Sequence, residues 1–167
     1  DPIAIARAII TDLREGRPVQ GGSTITQQVV KNTYLGPEKT LLRKLAEVPL
    51  AFYLEIRLGK REILRQYLNL VYLGHGAYGV EAGSRFYFAK PVSDLDLAES
   101  ATLAGIIRNP LAYSPVLHPA ASRARRNLVL AKMQRLGYIS RDRALAAQSE
   151  RLVTIEAAPG AWKTGAY

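Results

Sequence analysis

The chain has 167 residues, 48% of them hydrophobic and none of them cysteine, and its 23 lysines and arginines against 14 acids give a net charge of +9. That is long enough for one domain with a real core and too apolar for disorder, while the lack of any apolar run of roughly 18 residues excludes a membrane span within it. The charge favours polyanions such as nucleic acid, anionic lipid headgroups or pyrophosphate, or is simply a solvated basic surface.

Asp1 is a good N-cap and Pro2 fits the first helical position, so a helix is expected over 1–15, stopped by Gly16. A chain that starts inside such a pattern, without a signal peptide, reads as a fragment. A second helix is expected over 24–35, ended by Gly36 and Pro37, and a third over 39–58 with Pro49 as a kink. Residues 60–73 read as a strongly amphipathic helix, with Ile63, Leu64, Tyr67, Leu68 and Val71 at helical spacing. Gly74, Gly76 and Gly79 mark a loop, and a shorter helix follows over 80–88. The segment Ser93 to Asp96 caps a helix through Ile107, closed by Asn109 and Pro110. A long helix over 119–136 places Gly137 at its C′ position, and Ser140 caps a last helix to about Glu150. The fold class is therefore all-α. Residues 1–150 form one domain, and 151–167 change character towards a linker or the start of a following domain. No zinc spacing, RNA-binding aromatic motif or recognition helix is visible in the sequence.

The most informative block is GGSTITQQVVKN at 21–32. Its Gly-Gly turn opens a helix, and Thr24 with Gln27 has the spacing of a capping box. Thr24, Gln27, Gln28 and Lys31 then recur at i, i+3, i+4 and i+7, a polar stripe on one face. Such a stripe suits a ligand rich in hydroxyls. A helix N-terminus with a basic residue two turns in suits phosphate.

GGSTITQQVVKN and RKLAE at 43–47 resemble the second and third signature motifs of glycosyltransferase family 51, the peptidoglycan glycosyltransferases. KREILRQYLNLVYLGHGAYGVEAGSRFYFAK at 60–90 is similar to the fourth motif. AESATLAGIIRNPLAYSP at 98–115 and RARRNLVLAKM at 123–133 resemble the fifth block and its following helix. The likeness runs through nearly the whole chain, in order.

The resemblance implies a lysozyme-like helical fold and a reaction that polymerises lipid II into β-1,4 glycan with inversion, releasing undecaprenyl pyrophosphate. Such chemistry needs a carboxylate to take the acceptor's proton and cations to stabilise the departing pyrophosphate. Lys31, Lys39, Arg43 and Lys44 match the pyrophosphate side, and Lys39 and Arg43 are four apart on one helix. The plainer reading of that pair is a solvated face; the flanking motif favours the clamp. Glu47 matches the family's second active-site glutamate, whose implied role is to orient the cations and a divalent ion (Mg²⁺ or Mn²⁺) rather than to act as the base. Its plain alternative is a helix salt bridge with Arg43 or Lys44.

Ser23, Thr24, Gln27, Gln28 and Asn32 match sugar- and phosphate-contacting positions, although capping alone explains Thr24. Tyr67, Asn69 and Tyr72 match positions lining the cleft, with core packing as the competitor for the tyrosines. Glu81 and Arg85 are weaker candidates, and His75 reads as an incidental loop histidine without a partner. The family's first motif, which carries the base, should lie just before Asp1. The fragment alone is therefore expected to be inactive.

The implied setting is the periplasmic face of the bacterial inner membrane, with an upstream anchor and a transpeptidase domain in the same chain. The implied partners are lipid II, the nascent glycan and the membrane surface, and no nucleic acid. Two rivals remain. A lysozyme-like muramidase or lytic transglycosylase would cleave the same bond, but would need no pyrophosphate clamp. A non-enzymatic basic helical module would bind nucleic acid or anionic membrane with strong salt dependence, and would leave GGSTITQQ without a purpose.

Overall fold

Short oxygen side chains set where the helices begin. The computed structural model describes residues 24–35, 40–152 and 154. Among these, seven α-helices follow one another: α1 (Ile25–Thr33), α2 (Leu41–Arg57), α3 (Lys60–Leu70), α4 (Val80–Phe88), α5 (Leu97–Ile106), α6 (Pro119–Arg135) and α7 (Arg141–Ser149). Thr24 and Gln27 close a complete capping box at α1, and Asp96 and Glu99 close another at α5. Thr40 caps α2 and Ser140 caps α7, each accepting the N3 amide. Every one of these side chains satisfies a first-turn N–H that would otherwise face only water. The all-α expectation holds: the described residues contain no strand, only an isolated antiparallel bridge between Tyr72 and Tyr78. The expected helix over 1–15, Ser23, Lys39 and most of the tail lie outside the described residues.

The chain divides into two units, Asp1–Leu70 and Val71–Tyr167. In the first, α1 packs on both α2 and α3. Val29 and Val30 of α1, Ala51 and Leu54 of α2, and Ile63 and Tyr67 of α3 are buried. Their removal from water drives the packing, at about 25 cal/mol per Å² of apolar surface. One directed contact adds to it: the Thr26 hydroxyl donates to Glu55 Oε1 at 2.8 Å, joining α1 to α2. Helix α2 runs through Pro49 as one element. Proline has no N–H, so the Leu45 carbonyl loses its intrahelical donor there.

In the second unit, Ala98 and Ala101 of α5, Leu130 of α6, Ile139, and Ala144 and Ala147 of α7 form one core, with Leu97, Val129 and Met133 against it. The small residues let the three helices approach closely. Arg126 of α6 is only 1% exposed. Its guanidinium donates to the carbonyls of Gln148 at 2.8 Å and Glu150 at 2.9 Å, and its Nε to Asn127 Oδ1 at 3.1 Å. The buried cation thus takes up carbonyls at the end of α7 that the helix itself cannot satisfy.

The stretch after α3 departs from expectation. The helix expected over 60–73 stops at Leu70. Beyond it the burial alternates: Val71, Leu73, Ala77 and Gly79 are buried, while Tyr72 and Tyr78 are exposed. This is the two-residue period of extended chain. Leu73 N–H bonds Ala77 O at 2.9 Å and Gly79 N–H bonds Val71 O at 2.9 Å, so 71–79 is a small bridged loop. Gly74, Gly76 and Gly79 all have positive φ, which permits the tight reversal. Buried Tyr87 of α4 donates its hydroxyl to Leu73 O at 2.7 Å. Burial pushes that phenol's pKa up to about 12, so it remains a neutral donor at any physiological pH.

Candidate active site

Three cations and one carboxylate of the first unit carry the candidate chemistry. Arg43 and Lys44 stand at the start of α2, whose first turn holds no acid. A helix N-terminus is already a region of positive potential, so two further cations there are unfavourable unless an anion joins them. Glu47 supplies part of that charge. It is only 5% exposed, and Arg43 Nε lies 3.4 Å from its Oε1. Burying a carboxylate so deeply costs free energy that a neighbouring cation offsets in part. The i,i+4 salt bridge that the spacing allows between Arg43 and Glu47 is thus present and largely buried, while Lys39, the other member of the expected clamp, lies outside the described residues.

Lys31 is exposed and lies in the last turn of α1. Sequence spacing couples it to the helix N-terminus as one phosphate site. The structure separates them, since Thr24 and Lys31 sit at opposite ends of a nine-residue helix. At about 1.5 Å per residue they are some 10 Å apart. Lys31 instead meets the negative end of α1 and projects into water.

The polar stripe divides in the same way. Gln27 is buried, and its Oε1 accepts the Thr24 amide at 2.9 Å, which completes the capping box. Thr24 and Gln28 are half-buried, and Asn32 is exposed beside Lys31. Gln28 and Lys31 are thus the residues of the stripe whose side chains the cap does not use. Tyr67 is a core residue of the first unit, and burial pushes its phenol pKa up. Asn69 is exposed on the last turn of α3. Tyr72 belongs to the second unit, on the bridged loop.

Two weaker candidates are surface ties. Arg85 Nε donates to Glu81 Oε1 at 2.7 Å, and Glu81 Oε2 accepts the Val92 amide at 2.9 Å, which holds the carboxyl below its usual pKa. His75 requires a correction, because it does have a partner. Its Nε2 lies 3.0 Å from Ser114 Oγ and its ring stacks on Phe86 at 5.0 Å. Ser114 is 39 residues away, so nothing local in the sequence announces the contact. The Thr26–Glu55 bond was missed for the same reason, at a separation of 29.

Among the described residues, no group of three histidine, cysteine, aspartate or glutamate side chains is placed to hold a metal ion.

Residues 1–134 match the family described as Transglycosylase. Penicillin-binding protein 1A of Aquifex aeolicus is 51% identical over 140 residues, covering 84% of this chain and 19% of that protein. Penicillin-binding protein 1F of Bacillus subtilis is 46% identical over 152 residues, 91% of this chain and 21% of the relative. The chain thus spans about a fifth of these curated relatives. A crystal structure of penicillin-binding protein 1A from Haemophilus influenzae superposes with a TM-score of 0.55 at 30% identity, covering 79% of this chain and 17% of that one.

Proposed function

The chain belongs to the transglycosylase family, and from that premise we propose that it is the donor-side part of a peptidoglycan glycosyltransferase that polymerises lipid II. The fold class is the helical, lysozyme-like one of that family. One observation carries the mechanistic reading: Arg43 and Lys44 at the acid-free start of α2, with Glu47 buried behind them. A muramidase has no use for such a cluster, because glycan hydrolysis releases no pyrophosphate.

In this reading the acceptor's 4-hydroxyl attacks C1 of the lipid-linked donor. The new C1–O4 bond forms as the C1–O bond to pyrophosphate breaks, with inversion. Arg43, Lys44 and Lys31 take the charge that develops on the departing diphosphate, with Lys39 as a fourth cation supplied by the motif. Glu47 holds Arg43 in place during that step. The acceptor's proton goes to a carboxylate general base, which the family carries in its first motif. A chain that includes that motif, the parent chain, should make glycan from lipid II. Gel analysis of labelled lipid II tests this, and no polymer overturns the assignment.

The lipid tail keeps the substrate in the bilayer, so the domain must work at the membrane surface. No described helix is long and apolar enough to cross it. The apolar stretch 48–54 splits between two sides of α2: Ala51 and Leu54 are buried, Phe52 and Tyr53 exposed. The apolar face that remains outside consists of Leu42, Leu45, Phe52, Tyr53 and Ile56, all exposed on one arc of about 100°. We assign this stripe to the headgroup region of an anionic bilayer. Sedimentation with anionic liposomes should show a salt-sensitive component from the basic residues and a salt-resistant one from this stripe. Phe52→Ser with Ile56→Ser should remove the salt-resistant component. Equal binding of the double variant at high salt rejects the assignment.

A further inference from the structure

Tyr72 and Tyr78 face each other across the isolated bridge of the 71–79 loop, with ring centroids 4.8 Å apart and planes tilted by 39°. Both are exposed, Tyr72 by 44% and Tyr78 by 65%. The backbone beneath them is held firmly. Val71, Leu73, Ala77 and Gly79 are buried, three loop hydrogen bonds close the turn, and Tyr87 ties down the Leu73 carbonyl. A rigid, buried scaffold thus presents two adjacent aromatic rings to water.

Cross-strand aromatic pairing explains the contact between the rings. It does not explain why so much aromatic surface stays outside a loop whose other apolar side chains all point inward. We infer that Tyr72 and Tyr78 form a stacking platform for a pyranose ring of a β-1,4-linked N-acetylhexosamine strand, with Tyr78 as a positioning residue beyond those of the α1–α2 cluster. The chemistry fits. Equatorial substituents leave the two faces of such a sugar lined with C–H groups, which pack on an aromatic face, while its hydroxyls meet water and the phenol oxygens. Tyrosine orders at small entropic cost, having two side-chain torsions, and here the pair is already oriented before a sugar arrives. The choice of sugar rests on the glycosyltransferase reading above, because a glycan strand is what that reaction brings to the domain.

Titration of the 167-residue chain with N-acetylglucosamine tetramer, followed by NMR, tests the platform. The ring protons of Tyr72 and Tyr78 should shift. Tyr78→Phe should bind within about twofold of the unsubstituted 167-residue chain, and Tyr78→Leu, which keeps an apolar contact for Tyr72, should bind roughly threefold to tenfold more weakly. Circular dichroism melting checks that both variants fold alike. Unchanged binding by Tyr78→Leu, or tetramer shifts that leave both tyrosines unmoved, overturns the inference. A second titration with a short-chain, water-soluble lipid II analogue separates the two readings. If the analogue shifts α1 and α2 but the tetramer ignores the tyrosines, only the platform fails. If the tetramer shifts the tyrosines but the analogue leaves α1 and α2 untouched, the platform stands and the glycosyltransferase reading fails.

Discussion

Lipid II polymerisation by a Lys31→Ala variant of the parent chain is expected to fall by about 10²–10³-fold, the loss typical when one preorganised charge partner of a transition state is removed. Its folding stability should change by no more than about 1 kcal/mol. The two expectations belong together because of where Lys31 sits. It is exposed in the last turn of α1, so the fold gains little from it beyond a modest contact with the helix dipole. Arg43→Ala offers the contrast. Arg43 lies 3.4 Å from buried Glu47, so its loss should destabilise the first unit as well as inactivate it. The informative measurement is the rate of glycan formation per folded molecule, from product gels paired with thermal melts. A Lys31→Ala variant that is fully active, or one whose activity falls only in step with its folded fraction, removes Lys31 from the clamp.

Arg126→Ala should be the most damaging single change in the second unit. It deletes the donors to Gln148 O, Glu150 O and Asn127 Oδ1 and leaves a void where a 1%-exposed side chain stood. Hydrogen bonds from a charged group contribute about 1.5–3 kcal/mol each, and losing one partner of a buried polar network costs more than the bonds add. A destabilisation of roughly 3–5 kcal/mol follows, a drop of order 10 °C in melting temperature. Arg126→Lys should recover only part of it, since an ammonium cannot serve two carbonyls with the geometry of a guanidinium. Thermal melts of the three chains decide the matter. A melting temperature for Arg126→Ala matching that of the parent refutes the buried-tie account.

Local rules made much of this legible from sequence. The capping boxes of Thr24 with Gln27 and Asp96 with Glu99, and the stop at Gly137, follow from spacings of a few residues. The end of α3 was misjudged because Ile63, Tyr67 and Val71 continue a four-residue spacing that also fits an alternating strand. Only the pairing of Tyr72 with Tyr78 separates the two, and pairing is non-local. Arg126 was invisible for a related reason: within RARRNLVL it reads as one more surface cation, and its partners lie 22 and 24 residues on. At the candidate site the motif supplied Arg43, Lys44 and Glu47, and helical spacing allowed the pairing. The depth of Glu47 depends on how α1, α2 and α3 pack, which no local spacing shows.

The link between Arg126 and the end of α7 also has a mechanical side. Its guanidinium holds the carbonyls of Gln148 and Glu150 at once, and α6, which carries it, lies against α5. Traction on the polypeptide beyond Glu150 is therefore delivered to the middle of α6 instead of peeling α7 from its last turn. Glu150 O, nearer the pull, takes the load first, and Gln148 O is loaded only once that bond has yielded.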